Sequence, residues 1–202
     1  GWYPLPGKSL PESTVTQIVE NGIRYQVDFE NGQKTGFFLD QKYNRAAAAR
    51  IAPGRTVLDC FTHTGSFGLN CAKAGAKLVL SQDVSESALA CARENAALNG
   101  LEVEYQAANV FDLLPNLTPG EFDYIILDPP AFTKSGKTVK NAQRGYKEIN
   151  YRAMKALPRG GYLATCSCSH FMTDALFRRM LESAAGDGQV ELRLVEAGAQ
   201  GP

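Results

Sequence analysis

The chain has 202 residues, 44% hydrophobic and 21% charged, and its 21 Lys plus Arg balance 21 Asp plus Glu. That length suits one domain with at most a small appendage, and the composition excludes a disordered chain, which carries few apolar residues and a large net charge. No apolar run approaches the roughly 18 residues of a membrane span, and prolines interrupt the N-terminal GWYPLPGKSLPES, so the sequence reads as a soluble, cytoplasmic protein.

In chain order, Asn21-Gly22 and Asn31-Gly32 each supply the positive φ angles of a tight hairpin turn. Between them Ile23, Tyr25, Val27 and Phe29 alternate with polar residues, the pattern of a half-buried strand. Residues 14–39 are therefore expected to form a three-stranded antiparallel meander. A helix follows over about 42–52, ended by Pro53-Gly54. From residue 56 the rhythm changes: VLDCF (57–61) is a strand, GSFGLNCAKAG (65–75) a helix and KLVLSQD (77–83) a strand. SESALACARENAALNG (85–100) is a helix with Ser85 as its cap, Leu89, Ala92 and Ala96 on one face, and Gly100 as its stop. VEYQA (103–107) and FDYIILD (122–128) are further strands. Residues 142–157 form a helix with Tyr146, Ile149, Ala153 and Leu157 on one stripe. GYLATCS (161–167) is a strand, 173–185 a helix, and QVELRLVE (189–196) a last strand. Strands alternating with helices define an α/β chain with a doubly wound, mostly parallel sheet. The expected division is an N-terminal extension and meander over 1–40 and the α/β domain over 41–202.

Ligands of such sheets bind beyond the carboxyl ends of the strands, near the switch in strand order. One strand there runs into Asp59-Cys60-Phe61-Thr62-His63-Thr64-Gly65-Ser66, a glycine turn entering a helix N-terminus, where backbone N–H groups meet polar or anionic ligands. With only Gly65 and Gly68 present it is not the G-x-G-x-x-G of a nicotinamide dehydrogenase. Asp83 closes the next strand, placed to bind ribose hydroxyls, although a lone acid there is also an ordinary turn residue. Asp128-Pro129-Pro130-Ala131-Phe132 closes a later one. Its prolines stiffen the backbone and leave carbonyl acceptors, while Phe132 offers a face for a base or simply packs. Cys60, Cys71, Cys91, Cys166 and Cys168 are odd in number without Cys-x-x-Cys spacing, which argues against a disulfide framework or a zinc site, so no metal is expected.

VLDCFTHTGSFG, QDVSESALACARENAALNG, FDYIILDPPAF and GGYLATCSCSH together resemble class I S-adenosylmethionine-dependent methyltransferases. With KTGFFLDQKYNR (34–45) before them, they more narrowly resemble the RlmI-like group of large-subunit rRNA cytosine-C5 methyltransferases. The resemblance spans residues 14–202 and implies a Rossmann-like fold with S-adenosylmethionine as cofactor. It implies that Thr64, Gly65 and Ser66 line the methionine moiety, that Asp83 holds the ribose and that Asn109 faces the adenine, where most relatives carry aspartate. Gln41, Asp59, Phe61, Val84, Ser85, Val110 and Asp128 complete the implied cofactor set. It further implies an RNA-binding domain before this region and a strand pairing after residue 196, so the sheet is expected to be one strand short.

Cytosine carbon 5 is a poor nucleophile until a thiolate adds to carbon 6. The group's Ser-Cys-Ser match assigns that thiol to Cys168, while a Thr-Cys-Ser pattern found in other RNA cytosine methyltransferases selects Cys166. Asp128 would bond the ring at nitrogen 3. The base for the final elimination is unassigned, with His63 and His170 both nearby. Lys134, Lys137, Lys140, Arg144 and Lys147 face only Glu148 in sequence. This is a local basic surplus in a neutral chain, suited to RNA phosphates or to a solvated helix approach. Pro129, Phe132, Lys134, Lys137 and Arg144 are the expected substrate contacts. The competing readings are methylation of an exocyclic amine of adenine or guanine, which needs no thiol, and a cofactor-binding RNA module without turnover.

Overall fold

The structure, a computed structural model, describes residues 3, 4, 6–9, 12–32, 36–132, 139–169 and 171–199. An antiparallel hairpin comes first, strands β1 (Val15–Glu20) and β2 (Ile23–Asp28), turned at Asn21 (φ 52°) and Gly22 (φ 72°). Among the described residues the expected third strand of the meander is not formed: residues 36–38 are bend and coil, and 33–35 lie outside the described residues. Its absence has a physical reason. The outer edge of β2 is already satisfied by side chains, because Asn99 accepts from the Arg24 N–H (2.9 Å) and donates to the Arg24 carbonyl (2.7 Å), while Asn95 accepts from the Gln26 N–H (2.8 Å). Two helical asparagines replace a strand.

Helix α1 (Lys42–Ile51) leads into a five-stranded parallel sheet of β3 (Thr56–Cys60), β4 (Leu78–Asp83), β5 (Glu104–Ala107), β6 (Tyr124–Leu127) and β7 (Tyr162–Thr165). Their spatial order is β5-β4-β3-β6-β7. Helices α2 (Ser66–Lys73), α3 (Glu86–Asn99), α4 (Val110–Leu113), α5 (Val139–Ala156) and α6 (Asp174–Gly188) connect them. The short α4 and the 3₁₀ turn Leu114–Asn116 were not legible as a periodic pattern.

Both faces of the sheet are covered, as period-two side chains require. Val57, Tyr124 and Ile126 pack with Ala48, Ala52, Phe67 and Cys71 on one face, and Leu58, Cys60, Ile125 and Leu127 with Ile149, Ala153 and Ala156 on the other. All four residues of β6 are buried, whereas those of the edge strand β7 are only half-buried. The expected strand at 189–196 does not form. After α6 is capped by Gln189 (φ 53°), residues 190–199 run without regular structure and leave Leu192, Leu194 and Val195 exposed. Among the described residues no helix is long and apolar enough to cross a membrane.

Candidate active site

The chain leaves β3 for β4 on one side and later inserts β6 on the other, so β3 and β6 flank the switch in strand order. The loop beyond β3 is built tightly. In the loop after β3, Phe61 (φ 64°), His63 (φ 50°) and Gly65 (φ 86°) all adopt the left-handed conformation. Each such non-glycine residue costs on the order of 1–3 kcal/mol and persists only where its surroundings enforce it. Here they do. Thr62 N–H donates to the Gln82 carbonyl (2.7 Å), its hydroxyl to Asp59 Oδ2 (2.5 Å), and His63 N–H to Asp83 Oδ2 (2.9 Å). Gly65 must be glycine on two counts, since a Cβ would sit 3.1 Å from Ala92 Cβ and 3.2 Å from the Tyr105 hydroxyl. At Gly68 a Cβ would fall 2.3 Å from Ser81 Oγ, so α2 seats directly on β4.

Asp59 is fully buried, and its Oδ2 also accepts from Gly68 N–H (2.8 Å). Burial pushes its carboxyl up to about 7, helped by the nearby Asp128 charge and opposed by those hydrogen bonds. Asp59 Oδ1 and Thr64 Oγ1 are buried without partners in the protein, two polar atoms suited to a polar ligand at this turn. Asp83 spans two backbone donors, His63 N–H and Ser85 N–H (3.0 Å), which fixes the carboxylate at the mouth of β4. Ser85 in turn caps α3 by accepting from Ala88 N–H (3.2 Å). Asn109 is exposed and caps α4, its Oδ1 accepting from Phe111 N–H (3.1 Å). Val84 (72%) and Phe111 (41%) are large apolar side chains left exposed beside Asp83 and Asn109, as walls for a flat ring would be, while Val110 is buried.

On the other side of the switch, parallel pairing of Leu127 with Thr165 sets the two strand ends level, and Cys166 N–H donates to the Leu127 carbonyl (2.8 Å). Two residues on, Cys168 Sγ donates to the Pro129 carbonyl at 3.6 Å. Cys166 instead packs against the α1–α2 face of the core, where burial raises its thiol well above the ordinary range. Gln41 is buried and donates from Nε2 to Asp128 Oδ1 (3.3 Å), its Oε1 accepting from Asn44 Nδ2 (2.6 Å). It thus meets Asp128, another member of the cofactor set that the resemblance implies. The ring of Pro129 is buried, and Phe132 packs with Tyr146 (centroids 4.6 Å apart) and Phe111 (5.9 Å).

His63 stands edge-on to Phe38 at 5.4 Å, and burial lowers its imidazole below the usual range. Arg144 is exposed, but Lys147 is committed to Asp187 (2.7 Å) and Glu148 to Arg152 (2.7 Å). Lys134, Lys137, His170 and the side chain of Lys140 lie outside the described residues. No cluster able to hold a metal ion occurs among the described residues. Residues that sequence reasoning missed are Glu20, Asn44, Arg45, Asn70 and Asn95. Their only signal was polarity at positions that turned out to be inward-facing.

A doubly wound sheet with a strained glycine turn after its central strand, an acid closing the next and Asp-Pro-Pro beyond the switch defines a nucleoside-cofactor methyltransferase. A family model described as S-adenosylmethionine-dependent methyltransferase matches residues 6–197, and the chain belongs to that family. It is similar to "Ribosomal RNA large subunit methyltransferase I" of Shewanella denitrificans, 48% identical over 97% of this chain and 51% of the relative, and to the protein of the same name in Aliivibrio fischeri, 43% identical over 95% and 49%. The chain therefore spans about half the length of the curated relatives it matches. Among solved structures it is similar to a SAM-dependent methyltransferase from Streptococcus mutans, with a TM-score of 0.76 and 29% identity over 90% of this chain and 48% of that one. Another similar structure was solved with S-adenosylhomocysteine (TM-score 0.75, 29% identity, 89% and 48%).

The cofactor is S-adenosylmethionine, and the residues present suit it. The orphaned Asp59 Oδ1 and Thr64 Oγ1 offer polar partners at the turn, Asp83 offers a fixed carboxylate, and Val84 and Phe111 offer apolar walls.

Proposed function

We propose that this chain carries the catalytic part of a large-subunit rRNA methyltransferase that places the methyl on carbon 5 of a cytosine through an adduct with Cys168. The observation that carries this reading is Cys168 Sγ at 3.6 Å from the Pro129 carbonyl, with Cys166 turned into the core. Thr64, Gly65 and Ser66 are assigned to the methionine end of the cofactor, Asp83 with Val84 and Ser85 to its ribose, and Asn109 with Val110 to its adenine. Asp59 and Phe61 shape the turn between them.

In this mechanism the Cys168 thiolate adds to carbon 6 of a cytosine exposed from its stack, while Asp128 bonds nitrogen 3 and stabilises the charge that gathers there. The cofactor supplies an electrophilic methyl, which carbon 5 takes up. A base then removes the carbon-5 proton, the carbon 5–carbon 6 double bond re-forms and the thiolate leaves. Gln41, donating to Asp128 Oδ1, orients that carboxyl group for its bond to nitrogen 3. Pro129, Phe132, Lys134, Lys137 and Arg144 are assigned to the RNA side. With zero net charge overall, RNA affinity is expected to be shared with a further domain.

The test is an rRNA fragment containing 5-fluorocytosine, incubated with S-adenosylmethionine and the wild type, Cys168→Ala or Cys166→Ala. The expected result is a covalent protein–RNA adduct lost only in Cys168→Ala. An adduct lost only in Cys166→Ala would move the nucleophile. Methylation of ordinary rRNA by all three proteins without any adduct would overturn the reading in favour of exocyclic-amine chemistry.

A further inference from the structure

Three polar connections run from the hairpin into the turn after β3, and all of them end on residues of that turn or the first turn of α2. Asn95, fully buried on α3, takes the Gln26 N–H on Oδ1 (2.8 Å) and donates from Nδ2 to the Thr64 carbonyl (3.1 Å). Asn70, buried on α2, donates from Nδ2 to the Tyr25 hydroxyl (3.0 Å) and to the Ser66 carbonyl (2.8 Å), while its Oδ1 accepts from Asn21 (3.1 Å). Arg45, only 1% exposed, forms a two-pronged pair with Glu20 of β1 (2.6 and 2.9 Å) and donates to the Phe38 carbonyl (2.7 Å), with Ser66 Oγ at 3.5 Å.

We propose that the hairpin is a brace for the cofactor turn, and that Asn95 is the positioning residue through which it holds the Thr64 carbonyl. This rests on the assignment of Thr64–Ser66 to the cofactor. The turn has its own reasons to relax, since Phe61 and His63 sit in left-handed backbone, and a fully buried amide with both ends engaged resists that. Asn99 supplies an internal comparison. It clamps the same β2 edge through Arg24, but its remaining bond goes to the Asn95 carbonyl of its own helix (2.7 Å) instead of the turn.

The experiment measures S-adenosylhomocysteine affinity by calorimetry, thermal stability, and hydrogen exchange of a peptide covering residues 61–69, in wild type, Asn95→Ala, Asn99→Ala and Tyr25→Phe. Both asparagine variants should melt earlier. Asn95→Ala should weaken binding by about tenfold, the effect of leaving buried polar groups unpaired, and speed exchange of the 61–69 peptide. Asn99→Ala should bind within about twofold of wild type, because only the hairpin–helix contact is lost. Tyr25→Phe removes one acceptor with almost no change of volume and should weaken binding less than Asn95→Ala. If Asn95→Ala fails to fold, Tyr25→Phe decides, and an unchanged affinity there overturns the brace. Equal loss in Asn95→Ala and Asn99→Ala, or no loss in a folded Asn95→Ala, also overturns it. A wild type that does not bind S-adenosylhomocysteine would instead sink the cofactor assignment.

Discussion

Cys168 Sγ and the Pro129 carbonyl oxygen lie 3.6 Å apart, although the two residues are separated by 39 positions in sequence. The parallel register of β6 and β7 brings them together. Cys168→Ala should abolish methyl transfer to rRNA while leaving S-adenosylhomocysteine affinity unchanged. Cys166→Ala should remain active and lose about 1 kcal/mol of stability, the effect of trimming a small buried side chain. Methyl-transfer assays beside urea denaturation check both. An active Cys168→Ala would remove the thiol from the mechanism.

Gln41 and Asp128 give a second prediction. If Gln41 serves Asp128, Gln41→Leu should lower kcat with little change in the KM for S-adenosylmethionine. Gln41→Glu should move the alkaline limb of the pH–rate profile upward, because a second carboxylate disfavours ionisation of the Asp128 acid that bonds nitrogen 3. A raised KM with unchanged kcat in Gln41→Leu would return this residue to the cofactor.

Asp59 makes stability depend on pH. Its carboxyl is held near 7 in the folded chain, above its unfolded value, so the folded state binds the extra proton between those limits. Stability of the cofactor-free protein is therefore greatest on the acid side of this window for this group, and falls as pH rises through about 7. Melting temperatures between pH 5 and 8 should decline in wild type and flatten in Asp59→Asn. A wild-type curve no steeper than that of the variant would show that Asp59 ionises without penalty.

Glu20 and Arg45 form a buried pair, with side chains 4% and 2% exposed. Removing one partner strands the other charge. Glu20→Ala should therefore cost about 3–5 kcal/mol in urea denaturation, and the double variant Glu20→Leu/Arg45→Met should recover much of that loss. Equal losses in the single and double variants would mean that the packing of Arg45 on Phe37, 4.8 Å away, matters more than its charge.

Much of the fold was legible because periodicity and capping are local. Ser85 and Gly100 bounded α3 as expected. The meander was misread because Asn31-Gly32 promises a turn without fixing the path of the chain beyond it. Gly32 N–H in fact bonds back to the Asp28 carbonyl (2.9 Å), and α3 supplies the partners a third strand would have offered. The strand expected at 189–196 failed for the converse reason, since its alternation was real but no pairing formed.

Short-range spacing was enough to establish the alternation of strands and helices and the motifs that close β3, β4 and β6, because each of these is encoded within a few neighbouring residues, and the resemblance of those motifs to a known family implied the cofactor. Long-range packing was needed to bring the Cys168 thiol to the Pro129 carbonyl, to join Gln41 to Asp128, and to give Asn70, Asn95 and Arg45 partners at the turn after β3. A polar residue in a helix looks solvent-bound until the fold buries it, and burial then obliges it to find a partner that can stand anywhere in the chain.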